Sequence, residues 1–571
     1  MTASIFVSSI KLNDETIIET PRDGVVLFVG PNSSGKSQAL RDISNLVTSN
    51  KGGGLVVTDA RVEFEGSGDE LLSRLESDRS IVSAGSGEAK VDLGDKGQHS
   101  VSSLVQWWTE PSLRKTVAGY FVLLANTESR LLASHPTPGL DLYTKAPTHP
   151  LHRLYQQVGL EARLNSISSD AFGRGLILDV WAGGSQWSLR VGNIDPPNSP
   201  RPDQGYLDSL RELPLLREEG DGVRSMVGLL LTLFTGHQSI SLVDEPEAFL
   251  HPPQARYLAK LLAESASAKG AVFLSTHSSE VVHGVLEGQA PTTVVRLQRV
   301  GNKNEAAVLD NDAVRRLWDD PILKYSNLLE GLFTDSVVIC ESDADCKFFA
   351  SIRDTLMGES SNSRRVDILF TSCGGKHRLH VGFKALRAAS VPVVIIGDFD
   401  VLNEWSILSR LIVEGGGETA DFEADWNVLN SALTSKSRTP SVAGMREAVI
   451  TAFDGVSKID NKTLAPVREA LKIESGWDKV KKTGLSGVPK GAPYQAAERL
   501  LEELRLLGIC LIPVGEMEDF IPSVGGHGPA WLSEVLETGL HTGPGADGAR
   551  NFFGSVLDAV SGRIRSANNL M

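Results

Sequence analysis

Residues 24–47 read GVVLFVGPNSSGKSQALRDISNLV, and this stretch decides the fold of the N-terminal half. Val25 to Val29 form a short unbroken apolar run, the pattern of a strand buried on both faces of a parallel sheet. A glycine-rich turn follows, Gly30-Pro31-Asn32-Ser33-Ser34-Gly35-Lys36-Ser37, and the pattern then becomes helical. The turn fits GxxxxGK[ST] in full, and it stands between strand and helix as that motif requires. Its successive backbone N–H groups and the helix N-terminus can cradle phosphates. Lys36 can reach β and γ oxygens and the Ser37 hydroxyl can hold Mg²⁺, so Gly30, Asn32, Ser33, Ser34, Gly35, Lys36 and Ser37 are expected to bind ATP.

Upstream, SIFVSSIKL and TIIET read as strands. Downstream, residues 50–100 are rich in Gly, Ser and charge and are expected to form exposed hairpins and loops. Residues 103–164 have a helical texture broken by SHPTPG and KAPTHP, and LILDVWAGGSQWSLRVG reads as a hairpin around Gly183 and Gly184. Gly220 opens an apolar helix, ISLVDEPE is a buried strand ending in acids, and AVFLSTHS is another strand after the helix RYLAKLLAESA. Phosphoryl transfer needs neutralised charge and an oriented nucleophile. Asp244 is therefore expected to bind Mg²⁺ through water and Glu245 to position or deprotonate the attacking water. His277 lies 32 residues beyond Glu245, a distance that fits one helix and a neighbouring strand, and is expected to sense the γ-phosphate.

A second alternation of strands and helices opens near Asp335 with SVVICE, VDILFTS and VPVVIIGDFD, and closes with ICLIPV before GEMEDF. Residues 404–505 are helical and polar, as an insertion would be. Such alternation implies a parallel sheet with ligands at the carboxyl ends of its strands. Those ends carry Glu341, Asp345, Asp398, Asp400, Glu516 and Glu518. Carboxylates gathered at one edge repel unless cations bind, and oxygen donors suit Mg²⁺ or Mn²⁺. Two such ions are the usual apparatus of phosphodiester displacement.

At 571 residues the chain should hold about three or four domain-sized units. We place an N-terminal domain at 1–330, with 50–215 as an inserted and dimerising region, and a C-terminal domain at 331–571. Apolar content of 41%, charged content of 22% and a net charge of −15 describe a globular protein without a generally basic coat. No window approaches the ~18–20 apolar residues of a membrane span, and the N-terminus lacks a signal-peptide pattern, so no membrane association and a cytoplasmic location are expected. The four cysteines, Cys340, Cys346, Cys373 and Cys510, have neither zinc nor disulfide spacing.

GPNSSGKS, DEPEAFLHP and STHSSE resemble the Walker A, Walker B with D-loop, and switch histidine of ABC-type ATPases of the SMC and recombination-repair class. The resemblance gives the place of the family's signature loop to Glu219-Gly220-Asp221-Gly222-Val223-Arg224-Ser225, which departs from LSGGQ. Gly220, Asp221 and Gly222 would then contact a nucleotide held by a second subunit, giving a homodimer or a higher even oligomer.

The C-terminal acids resemble the TOPRIM fold, with Glu341 after the first strand and Asp398-Phe399-Asp400 after the third. The family's EG reads Glu341-Ser342 here. Cys373-Gly374-Gly375-Lys376 is similar to its GGK turn, whose lysine either contacts phosphate or begins a helix. An ABC-type head followed by TOPRIM is similar to the OLD family, which includes the nuclease subunit of Gabija defence systems. That implies an α/β protein whose nuclease cleaves or nicks nucleic acid, DNA in preference, under control of nucleotide state. It also implies a role in anti-phage defence beside an accessory defence protein, catalysis by Glu341, Asp398, Asp400 and Glu518, and Glu516 as a further ligand. A nucleotide-gated sensor or scaffold, and a nuclease acting on RNA such as tRNA, are the alternatives. The cluster Lys479, Lys481, Lys482 and Lys490 fits either nucleic-acid backbone or a solvated loop.

Overall fold

Val25–Val29 is buried at every position and lies inside a six-stranded sheet in the computed structural model. The structure describes residues 3–49, 52–78, 81–82, 89–92, 97–142, 145, 147–181, 184–195, 197, 202–312, 314–315, 327–359, 366–435, 441–454, 464–468 and 475–567. The chain divides into two units at 320/321, ten residues before the boundary expected from the sequence.

In the first unit the sheet order is Lys303–Leu309, Thr292–Val300, Val25–Val29, Ala271–Ser275, Ile240–Asp244, Val122–Ala125. All neighbours are parallel except Lys303–Leu309, which returns as a hairpin on Thr292–Val300. Parallel strands need crossovers, and helices such as Lys36–Thr48 and Pro252–Lys269 supply them. The loops at the carboxyl ends of three inner strands therefore converge on one edge.

Two sequence expectations are corrected here. Residues 50–100 hold more than exposed hairpins and loops. Val57–Glu65 is a nine-residue strand paired antiparallel with Ser4–Leu12, and Gly68–Ser77 is a helix opened by a capping box between Ser67 and Glu70. Val57, Leu71, Leu75 and Val91 enter the core. A register shift between Val7 and Ser9 blurs the alternation that would have marked the pairing. The helical stretch 103–164 also conceals Val122–Ala125, the parallel edge strand beside Ile240–Asp244. The expected hairpin does form, from Leu176–Asp179 and Gln186–Val191. Gly184 turns it with φ +71°, while Gly183 lies outside the described residues.

The second unit holds a four-stranded parallel sheet ordered Ile368–Ser372, Ser336–Cys340, Val393–Gly397, Ile509–Leu511. Alternate residues face opposite sides. Val338 and Cys340 join a cluster with Phe348, Phe349, Trp531 and Phe553. On the other side Gly382 closes against Ile339 and Cys373, bringing in helix Leu379–Ala388. The described part of 404–505 is helical, as expected. All four cysteines are buried free thiols. Among the described residues no helix is long and apolar enough to cross a membrane.

Candidate functional site

The turn after Val29 is held in conformations that favour glycine or need special support: φ is +138° at Gly30, +63° at Ser33 and +98° at Gly35. A side chain on Gly30 would overlap the Leu297 carbonyl oxygen. Lys36 is 8% exposed and donates to the carbonyls of Gly30 (2.8 Å) and Pro31 (3.0 Å), so it closes the loop on itself. Burial pulls its ammonium below the ordinary value, and Glu245, Glu247 and Asp244 pull it back up. Asn32 and Ser33 are exposed at the loop's lip, Ser34 is buried with an unpaired hydroxyl among the described residues, and Ser37 sits on the first turn of the helix. The side-chain amide of Asn304 donates to the Ser34 carbonyl, tying the loop to the Lys303–Leu309 hairpin.

Asp244 ends its strand beside Ser275, whose hydroxyl donates to it. Glu245 follows with φ +46°, its N–H on the Ser275 carbonyl at 3.0 Å. His277 Nδ1 lies 3.6 Å from Glu245 and 3.2 Å from Glu247. Glu247 was not singled out from the sequence although it belongs to the same acidic string. It is 7% exposed and accepts hydrogen bonds from the Thr276 hydroxyl (2.7 Å) and the His277 N–H (2.9 Å). Arg130 was also missed. It is 1% exposed and donates to the carbonyls of Asp244 (2.9 Å) and Glu245 (3.1 Å), bracing the turn from helix Thr127–Ala133. A lone arginine in an ordinary helical stretch carries no sequence signal. The edge thus holds a phosphate cradle, a strand-end carboxylate suited to a hydrated Mg²⁺, and an acid beside a histidine.

Gly220 caps helix Asp221–Thr235, and its neighbours reach other partners. Gly222 closes on the Phe249 carbonyl, Glu219 pairs with Arg174 (2.6 Å), and Asp221 pairs with Arg224 (2.8 Å).

In the second unit Glu341, Asp398 and Asp400 each place a carboxylate oxygen within 4.8 Å of the other two. Glu516, Glu518 and His527 form a second such group. Glu341 and Asp398 of the first group and all three of the second line one cleft of about 690 Å³. His527 went unnoticed in the sequence because its loop, GGHGP, reads only as a turn. The Asp398 N–H donates to Glu341 at 3.0 Å, and the Gly375 N–H donates to the Glu341 carbonyl at 2.8 Å, which fastens the glycine turn beside the acid. Burial, then the neighbouring acids, push Asp398 up to about 9, and burial outweighs that N–H to push Glu341 up to about 7.

Asp345 departs from its expected role. It accepts the Ser342 N–H (2.8 Å) while its own N–H reaches the Ser342 hydroxyl (3.3 Å), so it caps its helix and stands outside both groups. It still lines the cleft. Lys376 and Lys481 provide the local countercharge. Lys376 lies 3.3 Å from Asp400 and 2.9 Å from Glu404, and Lys481 lies 3.4 Å from Asp400 and 3.2 Å from Glu516. Burial opposes both ammonium charges, yet the acids hold both above their ordinary values. The basic cluster is thereby divided: Lys481 enters the acidic centre, Lys482 lines the cleft, and Lys490 lies over the Tyr494 ring at 4.1 Å. Carboxylates with one imidazole are a donor set that fits Mg²⁺ or Mn²⁺.

Residues 194–283 match the family described as AAA domain, putative AbiEii toxin, Type IV TA system. The segment contains Gly220, Asp221, Gly222, Asp244, Glu245 and His277, and includes neither Lys36 nor the residues of the acidic cleft. No curated protein matches the chain. Among solved structures, the SMC head bound to the C-winged helix domain of ScpA is 10% identical, covering 55% of this chain and 99% of that one at a TM-score of 0.33. The SMC head domain from Thermotoga maritima is 15% identical, covering 54% and 99% at 0.28. A nucleotide-free ATP-binding cassette from an ABC transporter is 12% identical, covering 57% and 98% at 0.26. Likeness at this level carries no argument, and the fold class rests on strand order. Strand order and the Lys36 loop define an α/β protein whose first unit carries a phosphate-binding loop suited to ATP, and residues 194–283 of that unit are similar to an AAA domain.

Proposed function

We propose that the chain is an ATP-regulated, divalent-metal-dependent endonuclease, with an ABC-type ATPase in the first unit and a TOPRIM nuclease in the second, acting on DNA in anti-phage defence. The observation that carries this reading is the meeting of Glu341, Asp398 and Asp400 at the carboxyl edge of a parallel sheet, with Glu341 and Asp398 in one cleft with Glu516, Glu518 and His527. Carboxylates collected at such cost in repulsion have no use in a scaffold.

Glu341, Asp398 and Asp400 would hold one Mg²⁺ or Mn²⁺, and Glu516, Glu518 and His527 a second. Bound metal supplies charge neutralisation at the phosphodiester and a more acidic water. Lys376 and Lys481, which pair with Asp400, Glu404 and Glu516, would offer ammonium groups to the backbone phosphates of a bound nucleic acid. In the first unit Lys36 and the loop N–H groups bind phosphates, Glu245 orients and deprotonates the water, and His277 reads the γ-phosphate. Gly220, Asp221 and Gly222 complete that site from a second copy of the chain.

Purified chain incubated with supercoiled plasmid, linear DNA and total RNA, with Mg²⁺ or Mn²⁺ and with or without ATP, tests the proposal. Nicking or cleavage of DNA that depends on Asp398 and changes with ATP is expected. Cleavage of RNA alone would move the substrate to RNA, and no cleavage of any substrate would leave the sensor or scaffold reading in its place.

A further inference from the structure

A cavity of about 680 Å³ opens in the first unit, lined by residues that precede the sheet strands, Ser239 before Ile240–Asp244 and Gly270 before Ala271–Ser275. Because these strands are parallel, it lies at the edge of the sheet opposite the Lys36 loop. Its size is that of pockets that take small molecules such as a mononucleotide.

Its charges are unbalanced. Of the acids lining it, Asp23 and Glu65 lie beside Arg22. Asp78 alone is left to face Arg74, Arg153 and Lys269. Arg74 is fixed by the carbonyls of Ala3 and His237 and lies 3.7 Å from Asp78. Lys269 is fixed by the carbonyls of Leu233 (3.0 Å), Phe234 (2.8 Å) and Gly236 (3.2 Å). Arg153 gives one N–H to the Asp78 carbonyl at 3.2 Å, and its other N–H groups have no protein acceptor among the described residues. His237 stacks on Tyr120 at 3.7 Å between ring centroids, and its Nδ1 is buried without a partner among the described residues. Burial, then the surrounding cations, push the imidazole down to about 3 against its hydrogen bond to the Tyr120 backbone, so it stays neutral.

A partly buried group of cations without matching carboxylates is stabilised by an anion, and guanidinium N–H groups left without acceptors match phosphate oxygens. We infer that this cavity is a second ligand site of the first unit, taking a small phosphate-bearing molecule through Arg153. Free phosphate and a nucleoside monophosphate share that chemistry. The wall of the cavity is the C-terminal end of helix Asp221–Thr235, whose other end is the Gly220 loop, so occupancy would bear on the element that carries that loop.

Titration calorimetry of the full chain carrying Lys36→Ala, which disables the first loop, reads the site with inorganic phosphate and with AMP as probes. One site per chain is expected. Adding Arg153→Gln should weaken binding at least tenfold, Arg153→Lys should restore part of it, and the melting temperature of both variants verifies folding. AMP tighter than phosphate by tenfold assigns the nucleoside monophosphate, and equal affinities assign free phosphate. Absence of heat with both probes, or an affinity that Arg153→Gln leaves unchanged in a folded chain, overturns the inference.

Discussion

Asp398 and Glu341 are acids that the fold makes reluctant to ionise, and the consequence for stability has a definite sign. An unfolded carboxyl titrates near 4, whereas Asp398 is pushed up to about 9 and Glu341 to about 7. The folded state then holds these protons more tightly, so this contribution is whole below pH ~4 and is lost as pH rises toward 9. Without metal, the stability of Asp398→Asn relative to the parent should therefore rise between pH 5 and 8, by up to about 1.4 kcal/mol per pH unit for one proton. Taking the difference between variant and parent removes the separate titration of His237 and Lys269. Thermal melts in chelator over that range check it, and a flat difference would mean that Asp398 ionises freely. Cleavage should fall at least a hundredfold in the same variant. At Arg130, substitution by Met removes the donor to the Asp244 carbonyl and leaves the Glu245 carbonyl only the Ala248 N–H, a loss of about 1–3 kcal/mol. We expect lower stability, retained nucleotide binding and slower hydrolysis, read from melting, a fluorescent nucleotide and phosphate release.

At the scale of elements, the phosphate loop depends on a hairpin nearly 270 residues away in sequence, through Asn304 and through the close approach of Gly30 to the Leu297 carbonyl. Gly30→Ala is expected to abolish nucleotide binding and lower the melting temperature, because its φ of +138° and the missing space both exclude a Cβ. Unchanged affinity for a fluorescent ATP analogue would show that the loop has another stable form. These elements also show what a sequence can express. The loop, the acid-ended strands and the alternation of the second unit were legible because each is a local pattern with a distinct period or composition. Val122–Ala125 was not, since four apolar residues inside a helical stretch become a strand only by pairing with Ile240–Asp244. Val57–Glu65 was hidden by glycine-rich and charged neighbours and by a register shift in its partner. Glu247, Arg130, Asn304 and His527 act through partners that only the fold brings up, and Lys481 was visible as one of a basic cluster while its pairing with Asp400 and Glu516 was not.

At the scale of the whole molecule, the proposed pairing of first units through Gly220, Asp221 and Gly222 has a mass to match. Light scattering of Glu245→Gln with ATP should give a dimer or an even multiple of it, since bound nucleotide would persist between the subunits. A monomer under every condition would leave Asp221 and Gly222 their intrachain contacts with Arg224 and Phe249 alone.

The sheet of the first unit also sets an order of events on the ribosome. Val25–Val29 is made before both of its neighbours, Ala271–Ser275 and Thr292–Val300, which follow some 240 and 260 residues later. Through that interval a wholly apolar strand has no native edge to meet, and such segments are prone to pair with other chains. A nascent chain stopped near residue 265 should therefore precipitate or remain with a chaperone, whereas one extended past the Lys303–Leu309 hairpin should stay in solution. Release of chains of graded length in a reconstituted translation system would place that threshold.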